Sequence, residues 1–401
     1  MQANRDWRGV DWLFDPMQPD EFVATYLERR LLHVQRQDAR RHQPLFPPEQ
    51  VEQTLARAGA ARGERVRAII GDTPHAPHGV PDGDLVAWVR GHYRAGATIL
   101  LSNIGAEIPE LARLVRALEE FVKGRVNVNA YLSAPGSRGF NAHFDPHDVL
   151  VLPVSGRKHW TIWQHYIEAP TAAQRTQVDA ARLGPPQQEL ELAAGDLLYV
   201  PRGMVHQARA LGEATVHLTF GLFFPTWHEV LEECLASASH QLVGLRRSLA
   251  ACPRPEPEIE PLVAAFGERA VVEAFDRVRA RFVQQLQPLP RALSASTAAE
   301  RAPRIDDQIE RVPGMIAHVS EDASGVRIAF PRISDADYAF ELAQPAFMAD
   351  ALRFVGAARG PFAVRDIPGE IDDERRLRFV AQLLRAGLLQ RAAGEAVSDD
   401  K

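Results

Sequence analysis

The stretch between Arg125 and Phe223 constrains the fold more than any other part of the chain. Val126-Asn127-Val128-Asn129-Ala130-Tyr131-Leu132 alternates apolar and polar residues, as a strand with one buried face does. Further short β-rich runs follow at Val149–Leu152, His159–Trp163, Asp196–Val200 and Thr215–Phe220. Turn sequences such as Ala134-Pro135-Gly136 and Pro201-Arg202-Gly203 separate several of them. Many short strands punctuated in this way predict a barrel or jelly roll. Helical patterns flank it. Upstream, Pro19 opens a helix carrying Phe22, Tyr26 and Leu27, and Pro109 opens one carrying Leu111, Leu114, Val115, Leu118 and Phe121. Downstream, Val230, Leu231, Cys234, Leu235, Leu242, Leu245 and Leu249 predict one long amphipathic helix, which Pro253, Pro255, Pro257 and Pro261 break. A second carries Val271, Phe275, Val278, Phe282 and Leu286, a polar Ala/Ser/Pro linker runs from Pro288 to Arg304, and Ala349 to Gln390 reads helix, turn, helix. The expected class is α+β. The expected division is a β-rich domain with N-terminal helices over 1–227, a helical region and linker over 228–304, and a small domain over 305–401.

At 401 residues, two or three domains are expected. An apolar share of 46% and a charged share of 24% exclude collagen-like and largely disordered chains. A formal net charge of −6 argues against a strongly basic polyanion binder. Two cysteines, Cys234 and Cys252, exclude a disulfide scaffold and a cysteine-rich zinc module. The start of the chain is charged and carries no apolar run, and no stretch approaches the length of a membrane-spanning helix. A soluble protein of a reducing cytoplasm, without a membrane partner, is the expectation.

The chemistry is concentrated in two phrases. In Phe140-Asn141-Ala142-His143-Phe144-Asp145-Pro146-His147-Asp148-Val149, His143 and Asp145 stand two apart, and on a strand such residues share a face. In Gly195-Asp196-Leu197-Leu198-Tyr199-Val200-Pro201-Arg202-Gly203-Met204-Val205-His206, a strand and a Pro/Gly turn deliver His206 at the start of the next strand. Two imidazoles and one carboxylate on one side of a metal leave positions open, the facial triad of non-haem Fe(II) oxygenases. A His-x-Asp pair alone is weak, since the chain has 14 histidines; the second phrase gives the pair its weight. His147 is expected at the entrance, in reach of a substrate. Thr219 is expected to point into the barrel, His217 to be second to the ligands or core, and His159 and His165 to be structural or exposed.

These motifs resemble the JmjC/cupin-type 2-oxoglutarate oxygenases, specifically the ribosomal oxygenases that hydroxylate ribosomal proteins. The resemblance extends over nearly the whole chain, but the specific motifs lie in the jelly roll. It implies a double-stranded β-helix core, a helical dimerisation region and a C-terminal winged-helix domain. It implies that His143, Asp145 and His206 bind Fe(II). It also implies that Lys158, fifteen positions after the first ligand, pairs with the far carboxylate of 2-oxoglutarate. Asn129 and Tyr131 match an asparagine and a tyrosine that lie near cosubstrate and substrate, and Thr219 joins the cosubstrate group. A lysine suits the dicarboxylate role, because its compact cation supplies both charge and donors. The sequence departs from the family at Gly221, where some members carry a serine that helps hold the substrate side chain.

The resemblance implies that Fe(II), 2-oxoglutarate and O₂ together hydroxylate a side chain, such as histidine or arginine at the β-carbon, in a ribosomal protein. It also implies a homodimer. Nucleic acid is not expected as a partner, because Arg375, Arg376 and Arg378 stand beside Asp372, Asp373 and Glu374. Three other readings remain: an oxygenase of natural-product precursor peptides, a non-catalytic cupin regulator binding DNA through its winged helix, and a cupin using another metal such as Zn or Mn.

Overall fold

The computed structural model describes residues 9–47, 49–57, 65–71, 73–174, 178–248, 266–286, 301–322, 324–331 and 340–392. The proline-rich break at 253–261 and most of the linker expected at 288–304 lie outside them. The chain divides into two compact units, 1–224 and 225–401.

In the first unit the strands are β1 (Leu32–Val34), β2 (Val66–Ile70), β3 (Thr73–His75), β4 (Thr98–Leu101), β5 (Arg125–Ser133), β6 (Asp148–Ser155), β7 (Arg157–His165), β8 (Gln188–Ala193), β9 (Leu197–Val200), β10 (Met204–Ala210) and β11 (Thr215–Phe223). They form an eight-stranded sheet, in the order β1-β9-β6-β11-β5-β4-β2-β3, and a three-stranded sheet, β10-β7-β8, with antiparallel pairing throughout. From β5 to β11 the chain passes back and forth between the two sheets, as in a double-stranded β-helix.

Side-chain alternation sorts the layers. On β5 and β11, Val126, Val128, Ala130, Leu218, Phe220 and Leu222 enter one core with Leu111, Leu114 and Leu118 of the helix Pro109–Val122. The opposite face of the large sheet meets the small sheet. There Val149, Val151, Leu198 and Val200 pack against Trp160, Ile162, Leu190, Leu192 and Met204. The central strands β6 and β9 are thus buried on both faces, and Tyr131 of β5 with His217 and Thr219 of β11 line the space between the sheets.

The second unit opens with the helix Trp227–Gln241, whose N-terminus is closed by a reciprocal Thr226–Glu229 capping box. The apolar spacing predicts that this helix continues to Leu249, but it stops at Gln241. Leu242 is extended and a short 3₁₀ turn, Val243–Arg246, follows. Val230 and Cys234 face Ala274 and Val278 of the helix Glu268–Gln284. The rest holds β12 (Gln308–Arg311), β13 (His318–Asp322), β14 (Gly325–Phe330), β15 (Phe340–Gln344), β16 (Phe362–Ala363) and β17 (Leu389–Arg391), in sheets β16-β12-β17 and β13-β14-β15. The helices Ala349–Ala357 and Asp373–Ala386 complete it. Phe282 and Val283 enter the same core as Ile309, Val326, Leu352 and Leu383, so the segments expected as 228–304 and 305–401 share one interior.

Candidate metal centre and its cavity

His143 and Asp145 do not lie on a regular strand. They occupy an extended segment that touches the sheet through one bridge, His143 to His206. Proline 146 has no N–H and restricts the residue before it, so the ladder of β6 begins only at Asp148. The bridge is reciprocal: His143 N–H donates to the His206 carbonyl (3.1 Å), and His206 N–H to the His143 carbonyl (2.8 Å). Phe144 turns away and stacks near Tyr166, with centroids 6.0 Å apart. His143 and Asp145 remain on the cavity side.

The ligand atoms of His143, Asp145 and His206 all lie within 4.8 Å of one another. His206 Nε2 is 3.6 Å from Asp145 Oδ2. The other ring nitrogens are engaged: Nδ1 of His143 is 2.7 Å from the Asn141 carbonyl, and Nδ1 of His206 is 3.1 Å from the Met204 carbonyl. A carbonyl only accepts, so each Nδ1 carries the proton and each Nε2 presents a lone pair. Burial, with the adjacent His143 imidazole, pushes His206 down to about 4, against the pull of Asp145, so at neutral pH it is an uncharged ligand. Burial acts to raise the Asp145 carboxyl, but His206, His143 and His147 together hold it below its ordinary value. Two neutral imidazole nitrogens and one carboxylate, converging with a side left open, fit a divalent cation.

The triad lines a cavity of about 350 Å³ between the sheets. Tyr131 and Thr219 line it from the large sheet, with Val149 and Val151; Lys158, Trp160 and Ala208 line it from the small one. Lys158 is 7% exposed, and its ammonium donates to Ser133 Oγ at 2.8 Å. Thr98 Oγ1 donates to the same oxygen at 3.0 Å. No salt bridge reaches Lys158 among the described residues, and burial pushes it down to about 7. A buried cation held only by hydroxyls is costly unless an anion joins it.

The other expected residues sort by position. Tyr131 stacks on His217, 4.8 Å between centroids and 4° between planes, and both line the cavity. His217 is therefore part of the site wall, with burial and then Lys158 keeping it neutral. Asn129 and His147 stand outside the cavity lining. Asn129 Oδ1 accepts the Asn103 N–H at 3.0 Å, and its side chain also bonds to Tyr131. His147 stacks on Phe223 at 4.4 Å and covers Gly221. His159 lies within 3.8 Å of Glu189 away from the site, in keeping with a structural place. Ser133, Thr98 and Trp160 have no counterpart among the expected site residues. Ser133 is the next residue on the Asn129–Tyr131 face of β5, which is the one sequence signal for it.

A scan against family models matches residues 100–230 to the JmjC domain. Residues 100–230 are a JmjC domain. Among curated proteins, the chain is 31% identical to human "Ribosomal oxygenase 1" over 256 residues, covering 60% of this chain and 39% of that protein. It is 27% identical over 249 residues to the "Bifunctional lysine-specific demethylase and histidyl-hydroxylase NO66" of Aedes aegypti, covering 59% and 39%. The chain thus spans about two fifths of the length of these relatives. Among solved structures, the Escherichia coli ribosomal oxygenase YcfD in complex with cobalt and 2-oxoglutarate superimposes with a TM-score of 0.57 at 17% identity, covering 93% of this chain and 98% of that one. That likeness is one of fold: the JmjC/cupin architecture with its flanking helices.

Within the JmjC domain, Gly221 answers a packing demand. A Cβ there would lie 2.5 Å from Asn127 Oδ1 and 2.8 Å from Cδ2 of His147. Gly221→Ser should therefore cost about 1–3 kcal/mol through overpacking. Gly221→Ser/His147→Ala should recover part of that loss. Urea denaturation of the two variants checks this; equal losses would show that His147 does not fill the space.

Proposed function

We propose that the chain is an Fe(II)- and 2-oxoglutarate-dependent oxygenase that hydroxylates an amino-acid side chain of a ribosomal protein, with histidine or arginine β-hydroxylation as the expected outcome. The observation that carries this reading is the pairing, in one cavity, of the His143/Asp145/His206 triad with the buried and otherwise uncompensated Lys158. A metal and a dicarboxylate are the two ligands that such a pair lacks. When bound, Fe(II) with 2-oxoglutarate and O₂ supplies the oxidising power for C–H hydroxylation, the cosubstrate leaving as succinate and CO₂.

The chain's own residues bind, orient and exclude water. His143, Asp145 and His206 hold the metal through two Nε2 atoms and a carboxylate oxygen. Lys158, supported by the Ser133 and Thr98 hydroxyls, takes the remote carboxylate. Thr219 and Asn129 complete the cosubstrate group, Asn129 acting through Tyr131. Trp160, Val149 and Val151 keep the inner cavity dry. Tyr131 and His147 bound the approach of the substrate side chain. No residue is required as a strong general base.

The accessory parts fit the same reading. The helix Trp227–Gln241 exposes Trp227, Leu231 and Leu235, spaced on one face, at 67%, 49% and 48%. This apolar stripe, which borders the buried Val230–Ala238 face and continues onto Phe275 beside Trp227, is read as a dimer contact with a second copy. Residues 305–401 are read as a winged-helix module with a structural or peptide-docking role. Arg376 and Arg378 are engaged by Asp373 and Glu374 at 3.0 and 2.8 Å, which leaves little basic face for nucleic acid. Among the described residues, no helix is long and apolar enough to cross a membrane. The cytoplasm, where ribosomal proteins are made, is the proposed place of action.

Incubation with Fe(II), 2-oxoglutarate, O₂ and total ribosomal proteins should add one oxygen to a single protein, matched by succinate, and His143→Ala should abolish both. Oxidation of a small precursor peptide instead would favour the natural-product reading, and duplex binding without turnover the regulator. Lys158 sets a pH dependence with a definite sign. Below about pH 7 it is already charged in the free protein, and above that it must take up a proton to pair with the cosubstrate. Affinity of the Co(II)-loaded protein for 2-oxoglutarate should hold below pH 7 and fall above it, by up to about tenfold per unit. Calorimetry at pH 8 in buffers of different ionisation enthalpy should find close to one proton taken up, and none in Lys158→Met. Leu231→Glu/Leu235→Glu should convert a dimer to a monomer by sedimentation; a monomeric wild type would refute the dimer contact.

A further inference from the structure

The two ligand-bearing segments are far apart in sequence, and the turn Pro201–Gly203 is where they are tied together. Gly203 N–H donates to the Asp145 carbonyl at 2.9 Å, and Tyr166 N–H donates to the Gly203 carbonyl at 2.8 Å. Gly203 has φ +81°, and a Cβ there would overlap the Ile167 carbonyl, so the turn is held from both sides. The remaining amide of the turn, Arg202 N–H, donates to Asp148 Oδ1 at 3.0 Å. Asp148 is fully buried, and its second oxygen accepts from the Tyr199 hydroxyl. Tyr199 Oη in turn accepts the Glu28 N–H at 2.7 Å.

Asp148 stands three residues beyond Asp145 at the start of β6, and by its side chain it holds the turn that leads into His206. It is not among the residues that line the cavity. We infer that Asp148 is a positioning residue of the metal centre: its carboxylate clamps the Asp145 segment to the Pro201–Gly203 turn and so sets the separation of Asp145 from His206. The inference rests on reading the triad as a metal site.

The physical case is one of competing demands. A buried carboxylate is costly unless its oxygens are bonded, and here one oxygen is bonded on each side. A purely structural role would be served as well by an apolar pair at 148 and 199. Such a pair would leave the Arg202 and Glu28 amides without their acceptors, and the turn would keep the Gly203 contacts, the Met204 N–H bond to the Pro201 carbonyl and the Arg202–Glu28 ion pair, none of which joins it to the start of β6. The ligands would then keep their identities but lose their spacing, to which metal affinity is sensitive.

The test is Co(II) binding to the metal-free full chain, read by affinity and by the visible d–d spectrum, with far-UV circular dichroism as the control for folding. Asp148→Ala should weaken Co(II) binding at least tenfold and change the spectrum. Asp148→Asn should stay within threefold of wild type, because its amide oxygen still accepts from Arg202 and its NH₂ donates to Tyr199. Should Asp148→Ala fail to fold, Tyr199→Phe/Asp148→Leu fills the same space with apolar groups, so that the loss is confined to the acceptors of the Arg202 and Glu28 amides. This pair should fold and still bind Co(II) at least tenfold more weakly. Wild-type affinity and spectrum in a folded Asp148→Ala or Tyr199→Phe/Asp148→Leu variant would overturn the inference. Failure of the wild type itself to bind Co(II) would instead remove the metal-site reading on which it rests.

Discussion

Two backbone hydrogen bonds, exchanged between His143 and His206, are what the site depends on. They fasten a segment that is not part of a strand to the first residues of a strand on the small sheet. Without them the segment would keep the Gly203 N–H bond to the Asp145 carbonyl, but His143 would lose its register against His206. With them, the alternation that sends Phe144 toward Tyr166 also sends the imidazole and carboxylate to His206. The same bridge turns each Nδ1 toward a carbonyl of its own segment, which decides the tautomer and leaves the Nε2 atoms to converge.

The second constraint is electrostatic. The space between the sheets is lined by apolar and polar side chains together, and it contains a lysine whose described contact is a hydroxyl. Protein interiors seldom keep such a charge, because its desolvation is not offset by hydrogen bonds to neutral groups. Burial depresses Lys158 toward neutrality and so stores a preference for an anion, which expresses itself when one arrives. We read the triad, whose His206 stands opposite Ile162, and Lys158, opposite Ala210 further along the same strand pair, as suited to a ligand with two acidic ends. The burial of β6 and β9 on both faces, with apolar core behind and the small sheet in front, supports this geometry.

Much of this was legible in the sequence, for reasons that differ by element. β5 was legible because its two faces meet different surroundings, an apolar helix layer and a polar cavity, so the alternation is clean. His206 was legible because a Pro/Gly turn must precede it. The extended segment around His143 reads as a strand by pattern alone; Pro146 is the feature that denies it a ladder. Ser133 and Thr98 escape notice because a small hydroxyl on a strand gives no signal until a lysine from the facing sheet reaches it. The helix ending at Gln241 has apolar spacing that continues beyond it, since the 3₁₀ turn Val243–Arg246 preserves a similar period. Short strands such as Gln308–Arg311, with one apolar residue, carry too little pattern to be seen before their partners are known.

We propose that the triad and Lys158 together bind a metal and a 2-oxo dicarboxylic acid. Anaerobic titration of the protein with Fe(II) and then 2-oxoglutarate tests it most directly, through the visible absorption that a 2-oxo acid gives on chelating Fe(II). The account predicts that the band forms with wild type, is lost in His143→Ala, and needs higher 2-oxoglutarate in Lys158→Ala. Iron-loaded wild type that forms no band, or a Lys158→Ala variant that titrates like wild type, would contradict it.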